Sequence, residues 1–597
     1  SDIKKSAIIT SLREKGAQIF EGHSKSNISK SATVVFSSDI PIDNEEIKEA
    51  RQLGCTILHR SELLSQLTAN TKTCAIAGTH GKTTTSALMV HVLQEANVDP
   101  KFAIGGILSK TQKNAAFSNG NTFVIEADES DGTFLNYNYD IACITNIDTD
   151  HLAFHGSWDA LIKSFQAFAN KKKPDGALFI CIDDKTISSL QLSGITYGFS
   201  ENATLRGLNL RQKGWNVVFD VQYKNKIYCD IAVPLLGKHN ALNALCVFGM
   251  CLELKIAPEK IISGLATFQG VKRRMDLLCS SRECLIFDDY GHHPNEIATT
   301  LHGLRQAVQE RKIIAVFQPH RFSRMKHILQ EFTDCFDAAD QVIVTDIHAG
   351  GEPEVEGFSS STIFSHIQKA SKIPCAFISK ESVVDTLYSL LRPFDVVIFF
   401  GAGDSTRLAH ELAKCVQDKK LSKIRLGVFY GGMSPENEVS TLSYRAMKEH
   451  FDSELYDVFS CEITQEGFWK KQDGTISPSE RIPREVFSEV SNLEVAFPLF
   501  HGPCGEDGMM TAFFDVLGIA TIGSDHKAAS FCMDKILSKD IAKSHNIPVL
   551  PSISLDDETW KEEKERILSD IEKSLTYPLF VKPSHLGSSI GVSKVTQ

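Results

Sequence analysis

An apolar run, Ala75-Ile76-Ala77, breaks at Gly78 into Thr79-His80-Gly81-Lys82-Thr83-Thr84-Thr85, and helix-like periodicity follows over residues 86–96. No other feature of the chain restricts its fold as strongly. A strand that turns through glycines into a helix offers backbone N–H groups to an anion. A lysine in that turn supplies a cation for β and γ phosphates, and a hydroxyl beside it can ligate Mg2+. The spacing is tighter than in the common phosphate loop, because the strand runs straight into Gly-Thr-His-Gly-Lys-Thr. A plain glycine turn with an incidental Lys-Thr is the competing reading. The flanking strand and helix favour the phosphate loop.

The same rhythm recurs along the chain. Short apolar runs such as Phe123-Val124-Ile125, Ile313-Ile314-Ala315-Val316-Phe317 and Gln341-Val342-Ile343-Val344 end in glycine or polar residues and lead into helical periodicity. Buried parallel strands have this pattern, so α/β domains are expected. Residues 202–234 mix Val, Phe and Tyr with charges and read as an antiparallel edge or subdomain. With 597 residues, and roughly 100–200 residues per domain, about three to six domains fit. The net charge of −11 and the lack of a long Lys/Arg run exclude a nucleic-acid footprint. Lys171-Lys172-Lys173 followed by Pro174 reads as a solvated turn. The 15 cysteines form no Cys-x-x-Cys pair, which suits reduced thiols in cores. No apolar run reaches the ~18 residues of a membrane span, and no signal peptide opens the chain. A soluble cytoplasmic protein with no membrane insertion is expected.

Two further segments follow predicted strands: Glu126-Ala127-Asp128-Glu129-Ser130-Asp131 and Asn146-Ile147-Asp148-Thr149-Asp150-His151. At the carboxyl ends of parallel strands they would lie beside the phosphates. Further along stand Gly237-Lys238-His239-Asn240-Ala241-Leu242-Asn243, Asp288-Asp289-Tyr290-Gly291-His292-His293-Pro294 and Phe317-Gln318-Pro319-His320-Arg321-Phe322-Ser323-Arg324. Each has an ordinary structural explanation: a helix start, a rigid turn, surface ion pairs. Together with the phosphate loop they resemble the Mur ligases, over roughly residues 1–415. The resemblance implies that Gly78, Thr79, His80, Gly81, Lys82, Thr83 and Thr84 hold ATP. It implies Thr83, Glu126 and His151 as ligands of Mg2+, with Mn2+ as its alternative. His239, Asn240 and Asn243 would lie near the adenine, with Arg273 and Asp289 also at the ATP site. His292, Arg321 and Arg324 would meet the substrate carboxylate or the incoming amino acid. Lys82, His151 and His292 would be the catalytic members. No Gly-x-Gly-Gly-x-Gly loop for a UDP-sugar precedes Gly78. Counting on from His151 reaches Phe165-Gln166, so no carbamylated lysine is expected.

After a polar, Lys-rich stretch over residues 414–423, a strand opens a second α/β module. Gly431-Gly432-Met433-Ser434-Pro435-Glu436, Phe500-His501-Gly502, Met533-Asp534-Lys535 and Val581-Lys582-Pro583-Ser584-His585-Leu586-Gly587-Ser588-Ser589 resemble D-alanine–D-alanine ligases of the ATP-grasp class. That resemblance implies Glu436 and His501 at the D-alanine site, Lys535 and Lys582 on ATP phosphates, and Ser588 closing the site. Glu436, Lys582 and Ser588 would be its catalytic members. The acidic metal site of a final ATP-grasp domain is not among these motifs, so the second module as it stands is expected to hold neither its metal nor its substrate. The chain reads as an internal piece of a fusion of the two ligases.

The expected fold class is α/β and multidomain. A partial Rossmann-like N-terminal domain (1–72) precedes a P-loop-type central ATPase domain (73–270) and a Rossmann-like C-terminal domain (271–420). The N-terminal domain (424–523) and part of the central domain (524–597) of an ATP-grasp ligase follow. The implied chemistry is phosphorylation of a carboxylate by ATP and attack of an amine on the acyl-phosphate. The implied substrates are UDP-N-acetylmuramate with L-alanine, and D-alanine twice, with no obligatory protein partner. The rivals are another Mur or folylpolyglutamate-type ligase and a non-catalytic nucleotide-binding scaffold.

Overall fold

The computed structural model describes every residue except 3–6, 39, 150–151, 282–283, 356–357, 419–421, 588 and 597. The chain divides into two compact units. The first comprises residues 1–390 and 394–419, the second residues 391–393 and 420–597.

The first unit opens with a parallel pair, β1 (Thr33–Phe36) and β2 (Thr56–His59). Ten strands then share one sheet: β3 (Lys72–Ala77), β4 (Lys101–Ala103), β5 (Ala115–Ala116), β6 (Thr122–Glu126), β7 (Tyr139–Ile144), β8 (Lys172–Cys181), β9 (Ile195–Gly198), β10 (Leu205–Lys213), β11 (Asn216–Tyr223) and β12 (Lys226–Val233). Their order is β12-β11-β10-β9-β8-β7-β3-β6-β4-β5. The run from β4 through β10 is parallel, and β10, β11 and β12 extend it as an antiparallel meander. The mixed polar and aromatic segment over residues 202–234 is thus the antiparallel edge expected of it.

β3 lies at the centre, with Cys74 to Ala77 fully buried. Two helices, α1 (Lys82–Glu95) and α2 (Gly237–Glu253), are buried along most of their length, polar positions included. Such a helix requires neighbours on every side. They share one core with the sheet and with α3 (Pro258–Ala266). All fifteen cysteines are free, and the nine buried ones act as small core residues.

One expectation is corrected. Lys172 and Lys173 open β8 rather than forming a solvated turn. Lys173 Nζ donates to Asp140 Oδ2 at 2.8 Å, and the same carboxylate accepts Thr73 N at 2.9 Å. Pro174 is accommodated because the β7–β8 register shifts between Tyr139 and Ile141. A bulge is where a strand can carry proline.

A six-stranded sheet follows: β13 (Asp276–Ser281), β14 (Cys284–Asp289), β15 (Ile313–Phe317), β16 (Gln341–Val344), β17 (Cys375–Phe377) and β18 (Val396–Phe400). Its order is β13-β14-β18-β15-β16-β17, parallel except for β13. The helix α4 (Pro294–Val308) starts with a capping box of His293 and Glu296. The second unit holds a four-stranded parallel sheet of β19 (Ile424–Gly431), β20 (Tyr456–Ile463), β21 (Val495–Pro498) and β22 (Ala520–Thr521), in the order β20-β19-β21-β22. It ends with an antiparallel pair, β23 (Leu579–Val581) and β24 (Ser593–Val595). Among the described residues no helix is long and apolar enough to cross a membrane.

The core under β7 makes a stability prediction. Phe168 is fully buried and lies 5.1 Å from both Phe134 and Tyr139. Phe168→Ala should cost the first unit about 3–5 kcal/mol, read as a lower urea midpoint with an unchanged slope. A loss under about 1 kcal/mol would show that the ring is not packed as described.

Candidate functional site

The site grows from the carboxyl ends of β3, β6 and β7. Gly78 follows β3 at φ +135°, and a Cβ there would lie 2.0 Å from Thr145 Oγ1. Gly81 takes φ +81°, and a Cβ there would lie 2.9 Å from Asn243 Oδ1. Both positions therefore require glycine. Gly81 is also the N-cap of α1 and supplies no side-chain cap. The first N–H groups of that helix are thus left for an anion, with the helix dipole favouring negative charge.

Lys82 is the first residue of α1 and turns back over the loop. Its Nζ donates to Gly78 O at 2.7 Å, Thr79 O at 3.1 Å and Glu129 Oε2 at 2.7 Å. Asp128 stands 3.8 Å away. Glu129 is only 1% exposed. Burial pushes its carboxyl up to about 7, with Lys82 pulling the other way. Burial would lower the Lys82 ammonium, but Glu129 and Asp128 more than offset this and hold it above its usual range. The lysine is therefore charged and set among acceptors that a phosphate oxygen could replace.

Next along the helix, Thr83 Oγ1 donates to Glu126 Oε1 at 2.8 Å. Gly105 N and Ser86 Oγ donate to the other Glu126 oxygen at 2.6 and 3.3 Å. A hydroxyl and a carboxylate held side by side at the start of the phosphate-loop helix are hard oxygen donors of the kind Mg2+ takes. His151, the third expected ligand, lies outside the described residues.

His80 points the opposite way across the loop. Its Nε2 faces Asp148 Oδ2 and its Nδ1 faces Glu296 Oε1, each at 3.3 Å. Burial opposes the charged imidazole, but the two carboxylates raise it to about 9. Asn295 Nδ2 donates to the same Asp148 oxygen at 2.9 Å. Since Asn295 and Glu296 belong to α4, this contact ties the loop after β3 to the start of that helix.

A cavity of about 850 Å³ opens beside the loop. His80, Gly81 and Thr84 line one part; His239, Asn240 and Asn243, from the first turns of α2, line another. Burial lowers the His239 imidazole to about 4, so it is neutral near pH 7. Asp289, at the end of β14, also lines the cavity. Its carboxylate accepts Gly291 N and Met275 N, each at 2.8 Å, and burial raises it to about 6. Arg273, expected at the ATP site, stands beside the cavity wall. It donates to Gly401 O at 2.7 Å and lies over the Tyr290 ring, while its neighbours Lys272 and Arg274 line the cavity.

A second group collects at the carboxyl ends of β14, β15 and β16. His292 Nδ1 pairs with Tyr290 O at 3.0 Å, and its ring meets His320 edge-on at 6.0 Å. His320 stacks on His348 at 5.5 Å. Arg321, at φ +61°, crosses Gly350, whose Cβ would lie 3.1 Å from the Arg321 side chain. Burial first, then His292, Arg324 and Arg321, push His320 down to about 3. This basic cluster suits an anionic substrate group.

In the second unit, Glu436 precedes the helix over Asn437–Lys448, and a Cβ on Gly502 would lie 2.8 Å from its Oε2. The adjoining His501 pairs with Ser443 Oγ at 3.3 Å. Lys535 Nζ donates to Leu586 O at 2.6 Å and so holds the Gly/Ser loop after β23. Lys582 is exposed, and Ser588 lies outside the described residues. Glu129, Asp148 and Glu296 are partners that the sequence reading did not single out, although the first two lie in segments it had marked as acidic. Glu296 announced itself only as the third residue after a His-Pro helix start.

Comparison with known proteins covers both units. The chain matches the Mur ligase family catalytic domain over residues 1–72, the Mur ligase middle domain over 76–251 and the Mur ligase glutamate ligase domain over 273–403. It then matches the D-ala D-ala ligase N-terminus over 425–524 and the D-ala D-ala ligase C-terminus over 541–597. It is 36% identical to the bifunctional enzyme MurC/Ddl of Chlamydia caviae, covering 100% of this chain and 74% of the relative. It is 42% identical to the UDP-N-acetylmuramate--L-alanine ligase of Protochlamydia amoebophila, covering 70% of this chain and 93% of the relative. The crystal structure of the UDP-N-acetylmuramate-alanine ligase MurC from Thermotoga maritima superposes with a TM-score of 0.60 at 26% identity, covering 70% of this chain and 92% of the other.

The Lys82–Glu129 pair generates a pH prediction. The Glu129 carboxyl binds its proton more tightly when folded, so its contribution to stability is full below about pH 4.5 and is lost as the pH rises through about 7. A phosphate arriving at Lys82 favours the protonated carboxyl further. Diphosphate affinity, measured by calorimetry with ADP, should therefore rise as the pH falls from 8 to 6, by up to about tenfold per pH unit beyond the titration of ADP itself. Glu129→Gln should flatten that excess slope; equal slopes in both proteins would contradict the coupling.

Proposed function

The chain belongs to the Mur ligase family, continued by D-ala D-ala ligase domains as in the bifunctional MurC/Ddl enzymes, and from that membership we propose how its residues divide the work. It is an ATP-dependent ligase that forms peptide bonds in peptidoglycan-precursor synthesis. The first half joins L-alanine to UDP-N-acetylmuramate, and the second carries part of the machinery that joins two D-alanines, without the acidic metal site of that reaction among its motifs. In each, a carboxylate takes the γ-phosphoryl group of ATP, and the amine of an amino acid displaces phosphate from the acyl-phosphate. The segments 1–72, 73–270, 271–420, 424–523 and 524–597 are the corresponding domains.

The observation that carries this reading is the charged, largely enclosed Lys82 at an uncapped helix start, beside the Thr83–Glu126 pair. Joining phosphate to carboxylate brings two anions together, so fixed positive charge must offset their repulsion. Lys82 and the α1 amides hold the phosphates. Thr83, Glu126 and His151 hold Mg2+, or Mn2+ in its place, which would neutralise phosphate charge when bound. His239, Asn240 and Asn243 take the nucleoside end of the cavity, with Asp289 on its third-domain wall. His292, Arg321 and Arg324 orient the carboxylate and the amino acid, and the third domain closes on the loop to bring them in. In the second half, Glu436 receives the first D-alanine's ammonium beside His501, and Lys535, Lys582 and Ser588 cover the phosphates.

Phosphate release from ATP should require UDP-N-acetylmuramate and L-alanine together, and Lys82→Ala should lower kcat/KM for ATP by at least about a hundredfold. Phosphate release with neither substrate, or a variant as active as wild type, would remove this assignment. A scaffold that only binds nucleotide would release none.

A further inference from the structure

The His80 contacts contain more than an ion pair needs. His80, Asp148 and His293 each place one ligand atom within 4.8 Å of the others. His80 Nε2 and Asp148 Oδ2 are 3.3 Å apart. Two ligands of one tetrahedral cation, each at about 2.0–2.2 Å from it, would be about 3.3 Å apart. His80 Nδ1 is within reach of Glu296 Oε1 at 3.3 Å. A carboxylate on the far nitrogen is the arrangement that orients a metal-binding imidazole and raises its basicity. Asn295 Nδ2 donates to the same Asp148 oxygen at 2.9 Å and holds it in place.

His293, the N-cap of α4, brings a second imidazole to the same place. Its side chain is 2% exposed; its Nδ1 accepts Asn295 N at 3.4 Å, and its Nε2 makes no hydrogen bond, with the Glu331 carboxylate 3.6 Å away. Its ring centre lies 5.6 Å from that of His80. Two imidazoles brought together in a buried place repel if both are charged, and one of them here lacks a hydrogen-bond partner for a buried nitrogen. A cation between them resolves both problems.

We propose that His80, Asp148 and His293 form a binding site for a late first-row divalent cation, Zn2+ being the physiological case, with Glu296 and Asn295 orienting the ligands and a water completing the shell. Two imidazoles and one carboxylate with an open fourth position are nitrogen and oxygen donors that suit zinc rather than Mg2+. The site is separate from Thr83 and Glu126, which offer oxygen alone. It joins the phosphate loop and the strand end of β7 to the start of α4, so a bound cation ties the third domain to the loop. The cation displaces the His80 proton, and affinity therefore falls with falling pH.

The test is titration of the metal-free protein with Co2+, in excess Mg2+ and with the exposed thiols alkylated. One equivalent should bind with the weak visible bands of nitrogen and oxygen ligation. His293→Asn keeps a side-chain oxygen to cap α4 and should weaken binding by at least about tenfold, as should Asp148→Asn. Thermal melts confirm that each variant is folded. X-ray absorption of the Zn2+-loaded wild-type protein supplies a readout that needs no variant, and should show imidazole scattering and no sulfur shell. Co2+ bound equally by wild type and both folded variants, no binding at micromolar Co2+, or a sulfur shell around zinc would each overturn the proposal.

Discussion

The loop at the end of the central strand is arranged around one largely enclosed cation. Lys82 lies at the end of the central strand, where a parallel sheet delivers loops from β3, β6 and β7 to one place. Its ammonium is held by two carbonyls of its own loop and by Glu129. A charge this buried survives only with partners. Glu129 therefore keeps the site formed in the absence of phosphate, at the cost of a carboxylate that prefers its proton. The glycines follow from the same demand: Thr145 and Asn243 crowd the loop so closely that any side chain at Gly78 or Gly81 would displace it.

The second constraint is that the groups proposed to act together come from two sheets. The phosphate loop belongs to the ten-stranded sheet, while Asp289, His292 and the His320–Arg321 corner belong to the six-stranded one. His80 is the hinge between their chemistries, since it reaches Asp148 on one side and Glu296 on the other. The second unit repeats the logic with other parts: a parallel sheet, a glycine turn beside Glu436, and a Gly/Ser loop held by a lysine.

Much of this was legible in the sequence because it is local. The strand, loop and helix around Gly78 follow from an apolar run, two glycines and renewed periodicity, and residues 202–234 show their antiparallel character in their mixed composition. The pairings across the chain were not legible. Glu129 lies 47 residues from Lys82, and Glu296 lies 216 from His80; no local pattern encodes such contacts. Lys172 and Lys173 misled for the same reason. Three lysines before a proline read as a turn, until Asp140 on the adjacent strand supplies a partner and a bulge makes room for Pro174. Arg273 was marked by the family resemblance alone; the contact of its guanidinium with Gly401 O, 128 residues away, has no local signal in the sequence.

The central claim is that Lys82 is held in reserve by Glu129 for the phosphates of ATP. A crystal structure with a non-hydrolysable ATP analogue tests it most directly. The account predicts that Lys82 Nζ exchanges Glu129 for β- or γ-phosphate oxygens at about 2.8 Å, with the α1 amides turned to the same group. A nucleotide bound elsewhere, with Lys82 still on Glu129, would contradict it.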